Sequence, residues 1–272
     1  MIIPKTSCPF VFVDSMKSIL LIISGVVVVI IVAVLFLTKS GADSDFVGMS
    51  SMGLQSSTPA PIQAATGTAG PSVAQRPGNV GTGTLNVPFT SQAPDGDWSN
   101  PLFQDGCEEA SIIMAMHWVK GEPLTAAKAK TEILAISDFE QREYGSAVDR
   151  SAKDTAQLIR DYYSYTAVNY VENIDAEDIK SQLNRGNVVI LPMNGRQLAN
   201  PYYTAPGPER HMLVVIGYDP TTREFITNDP GTRRGAKYRY KESIFVNAIR
   251  DYPTGNHELI VSIQKNMVVV SR

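Results

Sequence analysis

Cysteine is almost missing from this chain: 272 residues hold two, Cys8 and Cys107. That excludes a disulfide framework, which needs several paired thiols. Cys8 precedes a membrane-like run while Cys107 lies in the body of the chain, so they are not expected to pair, and Cys107 reads as a free thiol. Histidine is also scarce, with three in all. His257 opens "HELIV", which lacks the second histidine of a zinc-protease helix, so no metal is expected. There is no basic excess either: 24 Lys and Arg against 27 Asp and Glu give a net charge of −3, which removes the electrostatic case for nucleic acid. No segment matches the phosphate-loop pattern GxxxxGK[ST], and no repeat of 20–50 residues is evident.

What the chain does have is one long apolar run. "ILLIISGVVVVIIVAVLFL", from Ile19 to Leu37, carries no charge and approaches the roughly 20 residues needed to cross a bilayer. It predicts a transmembrane anchor over 19–38, after a short segment 1–18. A cleaved signal peptide is the rival, since Lys17 supplies a basic start. The run exceeds the usual apolar region of about 7–15 residues, however, and only "TKSGADSD" follows it. Lys5 and Lys17 precede the run and Lys39 follows, which places the N-terminus inside and the C-terminal body outside the cytoplasm. Residues 39–84, with "SSTPAPIQAATGTAGPSVAQRPGNVGTG", are poor in large apolar residues and read as a flexible linker.

The folded domain is expected over 85–272. "LNVPF" reads as a first strand, followed by a helix from Cys107 to just before Gly121. A second helix should run from an N-cap at Thr125 to about Arg142, and a third from "SAKD" at Ser151 to about Tyr162. "AVNYVEN" alternates as a strand, and Asp175 caps a short helix ending at Gly186. "NVVILPM", "HMLVVIGYD" and "EFITND" are strands dense in Val and Ile. A helix near 243–250 and two last strands, "HELIVSIQK" and "MVVVSR", complete the chain. Helices first and strands later argue for an α+β fold with a mostly antiparallel sheet.

Cys107 opens its helix as "DGCEEAS", where Gly106 eases the turn and Glu108 and Glu109 occupy the first turn. A helix N-terminus stabilises a thiolate through its unpaired N–H groups and dipole. A thiolate nucleophile needs a base. His117 lies ten residues on along the same helix, about 15 Å away, which is too far. His211 is better placed, at the junction of the loop "NPYYTAPGPER" with an apolar strand. A hairpin centred near Thr221 sets residues 229–232 opposite His211, so Asp229 is the carboxylate expected behind the ring; Asp219 lies at the far end of the strand. Gln92 and Gln104 are the candidate oxyanion donors. Trp98, Tyr202 and Tyr203 are candidate cleft aromatics.

"LNVPFTSQAP", "DGCEEAS", "RHMLVVIGYD" and "ITNDPG", in this order, resemble the papain-like cysteine peptidases of the bacteriocin-processing type, closest to stand-alone peptidase C39-like domains. The resemblance covers about residues 85 to 271. It implies a papain-like cysteine peptidase fold with N-terminal helices on the sheet, Cys107 as nucleophile, His211 as base and then acid, and Asp229 as the orienting carboxylate. Two departures stand out. Pro101 occupies the position six residues before the cysteine where papain-like enzymes place the oxyanion glutamine. Gln92 matches the family's "VPxxSQ" element across a longer loop and is preferred, with Gln104 as the substitute. The resemblance therefore implies a cysteine peptidase that hydrolyses a peptide or isopeptide bond of a peptide or protein substrate, without cofactor, and the apolar run ahead of it adds the expectation of a membrane anchor. A transpeptidase using the same site, or a non-catalytic tethered binding module, are the alternatives.

Overall fold

The computed structural model describes residues 83–272. The anchor expected over 19–38, the preceding segment 1–18 and all but the end of the linker lie outside the described residues. Among the described residues, no helix is long and apolar enough to cross a membrane.

The elements follow in the order α1 (Pro101–Gln104), α2 (Cys107–Lys120), α3 (Ala126–Tyr144), α4 (Ala152–Tyr163), β1 (Val168–Val171), α5 (Ala176–Asn184), β2 (Val188–Met193), α6 (Gly195–Leu198), β3 (His211–Asp219), β4 (Glu224–Asn228), β5 (Tyr238–Lys241), α7 (Glu242–Ala248) and β6 (Met267–Val270). Local chemistry sets the helix starts. Thr125 caps α3 through Lys128 N–H, Ser151 caps α4 through Asp154 N–H, and Asp175 and Asp178 form a reciprocal capping box on α5.

The six strands form one sheet in the order β1-β6-β2-β3-β4-β5, with every neighbouring pair antiparallel. Both faces are covered. Met212, Val214 and Ile216 of β3 point into the core shared with α2, α3 and α4, while Leu213 and Val215 pack among Ile179 of α5 and Phe245 of α7. Burial on both faces explains why β2 and β3 read as continuous apolar runs rather than alternating ones. The result is the α+β layout expected, with helices packed on an antiparallel sheet.

Helix α2 is buried along twelve consecutive residues, Cys107 to Trp118. A helix that is apolar nearly all round belongs in the middle of a domain, and α2 packs against β3, α3 and α4. It thereby holds Cys107 beside the start of β3. Two expected strands do not form. "LNVPF" is irregular, tied to the sheet by Leu85 N–H donating to the Ile216 carbonyl at 2.8 Å. The segment "HELIVSIQK" also joins no strand, and Leu259, Val261 and Ile263 are exposed. Alternation was present there, but β6 takes the place between β1 and β2.

Candidate active site

Cys107 is the first residue of α2 and is buried. Gly106 before it has an ordinary φ of −84°, so its role is space rather than turn freedom: a Cβ there would sit 2.9 Å from the Leu102 carbonyl oxygen. The Cys107 thiol donates to Glu108 Oε2 at 3.0 Å. Glu108 Oε1 accepts from the Tyr252 hydroxyl at 2.7 Å and from Arg150 N–H at 3.2 Å, which fixes the carboxyl beside the sulfur.

This differs from the electropositive helix start expected from the sequence. Burial pushes the thiol up well above its ordinary range, and the charges of Glu108 and Glu109 push the same way, against the backbone N–H of Met212. Burial also raises Glu108 itself. The sulfur therefore rests as a neutral thiol under an acid's control. Replacing Glu108 with glutamine keeps the shape and removes the charge, so Cys107 should be alkylated several-fold faster by iodoacetamide at pH 7. An unchanged rate would show that Glu108 exerts no electrostatic hold on the sulfur.

His211 begins β3 and is buried, and its Nε2 meets Asp229 Oδ1 at 2.8 Å. The β3–β4 hairpin makes this meeting, with Val214 opposite Asn228 and an irregularity between Val215 and Gly217. With Nε2 engaged, Nδ1 is the ring nitrogen left for other work. Asp229 is fully buried. Its Oδ1 also accepts from Gly231 N–H at 3.0 Å. Its Oδ2 accepts from Tyr240 at 2.5 Å, Tyr203 at 2.6 Å and Asn200 Nδ2 at 3.3 Å. Burial would raise this carboxyl, but the imidazole and the two phenols outweigh it and hold Asp229 below the usual carboxylate value. Asp219, the competing acid, is instead paired with Arg239 at 2.9 Å.

The two glutamines are not equivalent. Gln92 is buried, and its amide nitrogen donates to the carbonyls of Phe103 at 3.0 Å and Gln104 at 2.7 Å, which uses both its hydrogens. Its backbone N–H donates to the Pro230 carbonyl, next to Asp229. Gln104 is exposed, and its amide donates to the Trp98 carbonyl at 2.9 Å, leaving one hydrogen.

A cavity of about 400 Å³ brings these groups together, with Cys107, His211, Gln92, Gln104, Trp98 and Tyr203 in its wall. Thr204, Pro208 and Arg210 of the loop before β3 complete one side. The cysteine, the histidine and both glutamines named from the sequence thus share one cavity, with Asp229 behind the ring. Tyr202 lines the neighbouring hollow instead. The other histidines lie elsewhere: His117 contacts Glu132 at 3.1 Å, and His257 contacts Asp149 at 2.9 Å. Among the described residues, no group of three or more His, Cys, Asp or Glu is arranged to hold a metal ion.

Sequence reasoning missed Glu108 as a partner of the sulfur, and Tyr203, Tyr240 and Asn200 as holders of Asp229. The "EE" pair beside the cysteine was the one signal for the first, since acids flanking an apolar helix can be buried as well as solvated. Nothing local marks Asn200 and Tyr240, which only the sheet brings to Asp229.

The family model described as Peptidase_C39 like family matches residues 84–254, more than half of the chain. Among solved structures, a Bacillus anthracis protein named for the C39-like peptidases aligns over 69% of this chain and 96% of its own, at 15% identity and a TM-score of 0.43. No curated protein matches the chain.

Proposed function

The chain belongs to the Peptidase_C39 like family, and on that premise we propose that it is a cysteine peptidase working through Cys107, His211 and Asp229. The observation that supports this reading most is the shared cavity: a thiol and an imidazole in one wall, the far ring nitrogen tied to a buried carboxylate at 2.8 Å.

The chemistry follows from the donors at hand. The thiol proton passes to Nδ1 of His211 as the sulfur turns from Glu108 to the substrate carbonyl. Asp229 fixes the ring through Nε2 and stabilises the imidazolium that forms. The tetrahedral oxyanion takes hydrogen bonds from the Cys107 backbone N–H and from a glutamine amide. Gln104 has the hydrogen to spare, and Gln92 braces the segment that carries it. His211 then protonates the leaving amine, and a water deprotonated by His211 hydrolyses the thioester. Water at this step gives hydrolysis; an amine in its place would make the same site a transpeptidase. The uncharged run at 19–38, with Lys5 and Lys17 before it, supports a membrane tether that holds the peptidase domain outside the cytoplasm.

The test is incubation of the full chain with a mixed peptide library, products read by mass spectrometry, with and without glycinamide. Cleavage should vanish in Cys107→Ala, and glycinamide adducts should stay a minor product. Cleavage at equal rate in Cys107→Ala would overturn the nucleophile, and predominant adducts would make the protein a transpeptidase.

A further inference from the structure

A second hollow, of about 300 Å³, continues from the reaction cavity and shares Trp98, Thr204 and Gly231 with it. Its remaining wall is Tyr202, Thr232, Arg233 and Arg234, with no acid among them. Both guanidiniums are exposed, and among the described residues neither forms an ion pair. The contacts they do make leave the charge unneutralised. Arg234 lies over the Tyr202 ring at 4.8 Å. Arg233 Nη2 reaches the Gly96 carbonyl at 3.4 Å and fills the space a side chain would take there: a Cβ on Gly96 would lie 1.7 Å from that nitrogen. Gly96 itself has φ of +75°, the left-handed backbone that favours glycine, so no side chain competes with the guanidinium there.

Two guanidiniums without an ion-pair partner beside an aromatic wall, in a chain of net charge −3, form a local anion site. Arg210, at the reaction cavity, differs in being paired with Asp149 at 3.2 Å. Resting on the peptidase reading above, we infer that this hollow is a substrate subsite that takes a carboxylate of the peptide a few residues from the scissile bond. The substrates would then be acidic peptides, and Arg233 and Arg234 would set that preference. The carboxylate can come from an Asp or Glu side chain or from a free C-terminus.

A binding measurement tests this without depending on turnover. Full-length Cys107→Ser is titrated against fluorescein-labelled Gly-Glu-Glu-Gly-amide, Gly-Gln-Gln-Gly-amide and Gly-Gln-Gln-Gly with a free carboxylate, followed by fluorescence polarisation. The Glu peptide should bind at least fivefold tighter than its Gln counterpart; tighter binding only by the free-carboxylate peptide assigns the site to chain ends. The preference should fall to about one in Arg233→Gln/Arg234→Gln, survive in the double lysine variant, and reverse toward a Gly-Lys-Lys-Gly-amide probe in the double glutamate variant. Equal Kd values for all three peptides overturn the subsite. Cleavage by the wild type, read on the same peptides, reports separately on the peptidase reading: an acid preference in binding with no Cys107-dependent cleavage would sink the peptidase and leave the anion site standing.

Discussion

Replacing His211 with alanine should lower kcat/KM for peptide cleavage by about 10²–10⁴-fold, the usual share of a general acid–base group. The size follows from the resting state of the sulfur. Burial and the Glu108 contact keep Cys107 protonated, so little thiolate exists without a base to take the proton. The substitution should leave the fold largely intact, because Asp229 keeps hydrogen bonds from Tyr203, Tyr240, Asn200 and Gly231. Steady-state rates on any cleaved library peptide, with a thermal melt as control, check this. A loss under threefold with an unchanged melt would remove His211 from the chemistry.

The largest expected effect on stability comes from a residue far less conspicuous in the sequence. Arg150 is buried, forms an ion pair with buried Glu140, and donates to the Ser146 carbonyl at 2.9 Å. Glu109 sits against Glu140, and burial and Glu140's charge push it well above the usual carboxylate range. Burial raises Glu140 too, with Arg150 pulling it back. Arg150→Ala leaves these acids with no cation to answer them, so it should cost about 3–5 kcal/mol, as removing one partner of a buried pair does.

The pH dependence has a definite sign. Acids raised in the fold bind more protons folded than unfolded, so their contribution to stability falls as pH climbs above the ordinary glutamate value of about 4.3. In Arg150→Ala the fall should be steeper and extend to higher pH, since Glu140 loses the charge that lowers it. Urea midpoints at pH 5 and pH 8 measure both effects. Equal midpoints for variant and wild type would show that solvent, not Arg150, neutralises the cluster.

Much of the scaffold could be read in advance, because short-range chemistry controls it. Thr125, Ser151 and Asp175 are caps with their own hydrogen bonds, and dense Val and Ile runs marked β2, β3 and β6. The Asp229 position was legible for the same reason, since hairpin register follows from turn length. Strand pairing over distance was not: "HELIVSIQK" alternates as well as many strands do, yet nothing within it tells that β6 claims the slot beside β1. Burial was also hidden at Glu108 and Glu109. A first-turn acid normally faces water, and only the packing of Tyr252, Arg150 and Ser137 around α2 makes these two interior. That Gln92 spends both amide hydrogens on carbonyls of α1 while Gln104 keeps one is likewise a fact of three dimensions.

The most direct check is the rate at which iodoacetamide alkylates Cys107 between pH 5 and 9, in the wild type and in His211→Ala. Sulfur and imidazole acting together predict at least tenfold faster modification of the wild type at pH 7. The two curves should stay apart across this range, because burial and Glu108 keep the unaided thiol protonated beyond where free thiols ionise. Superimposed curves across the whole range would mean that the ring does nothing for the sulfur, and the cysteine peptidase mechanism would fall.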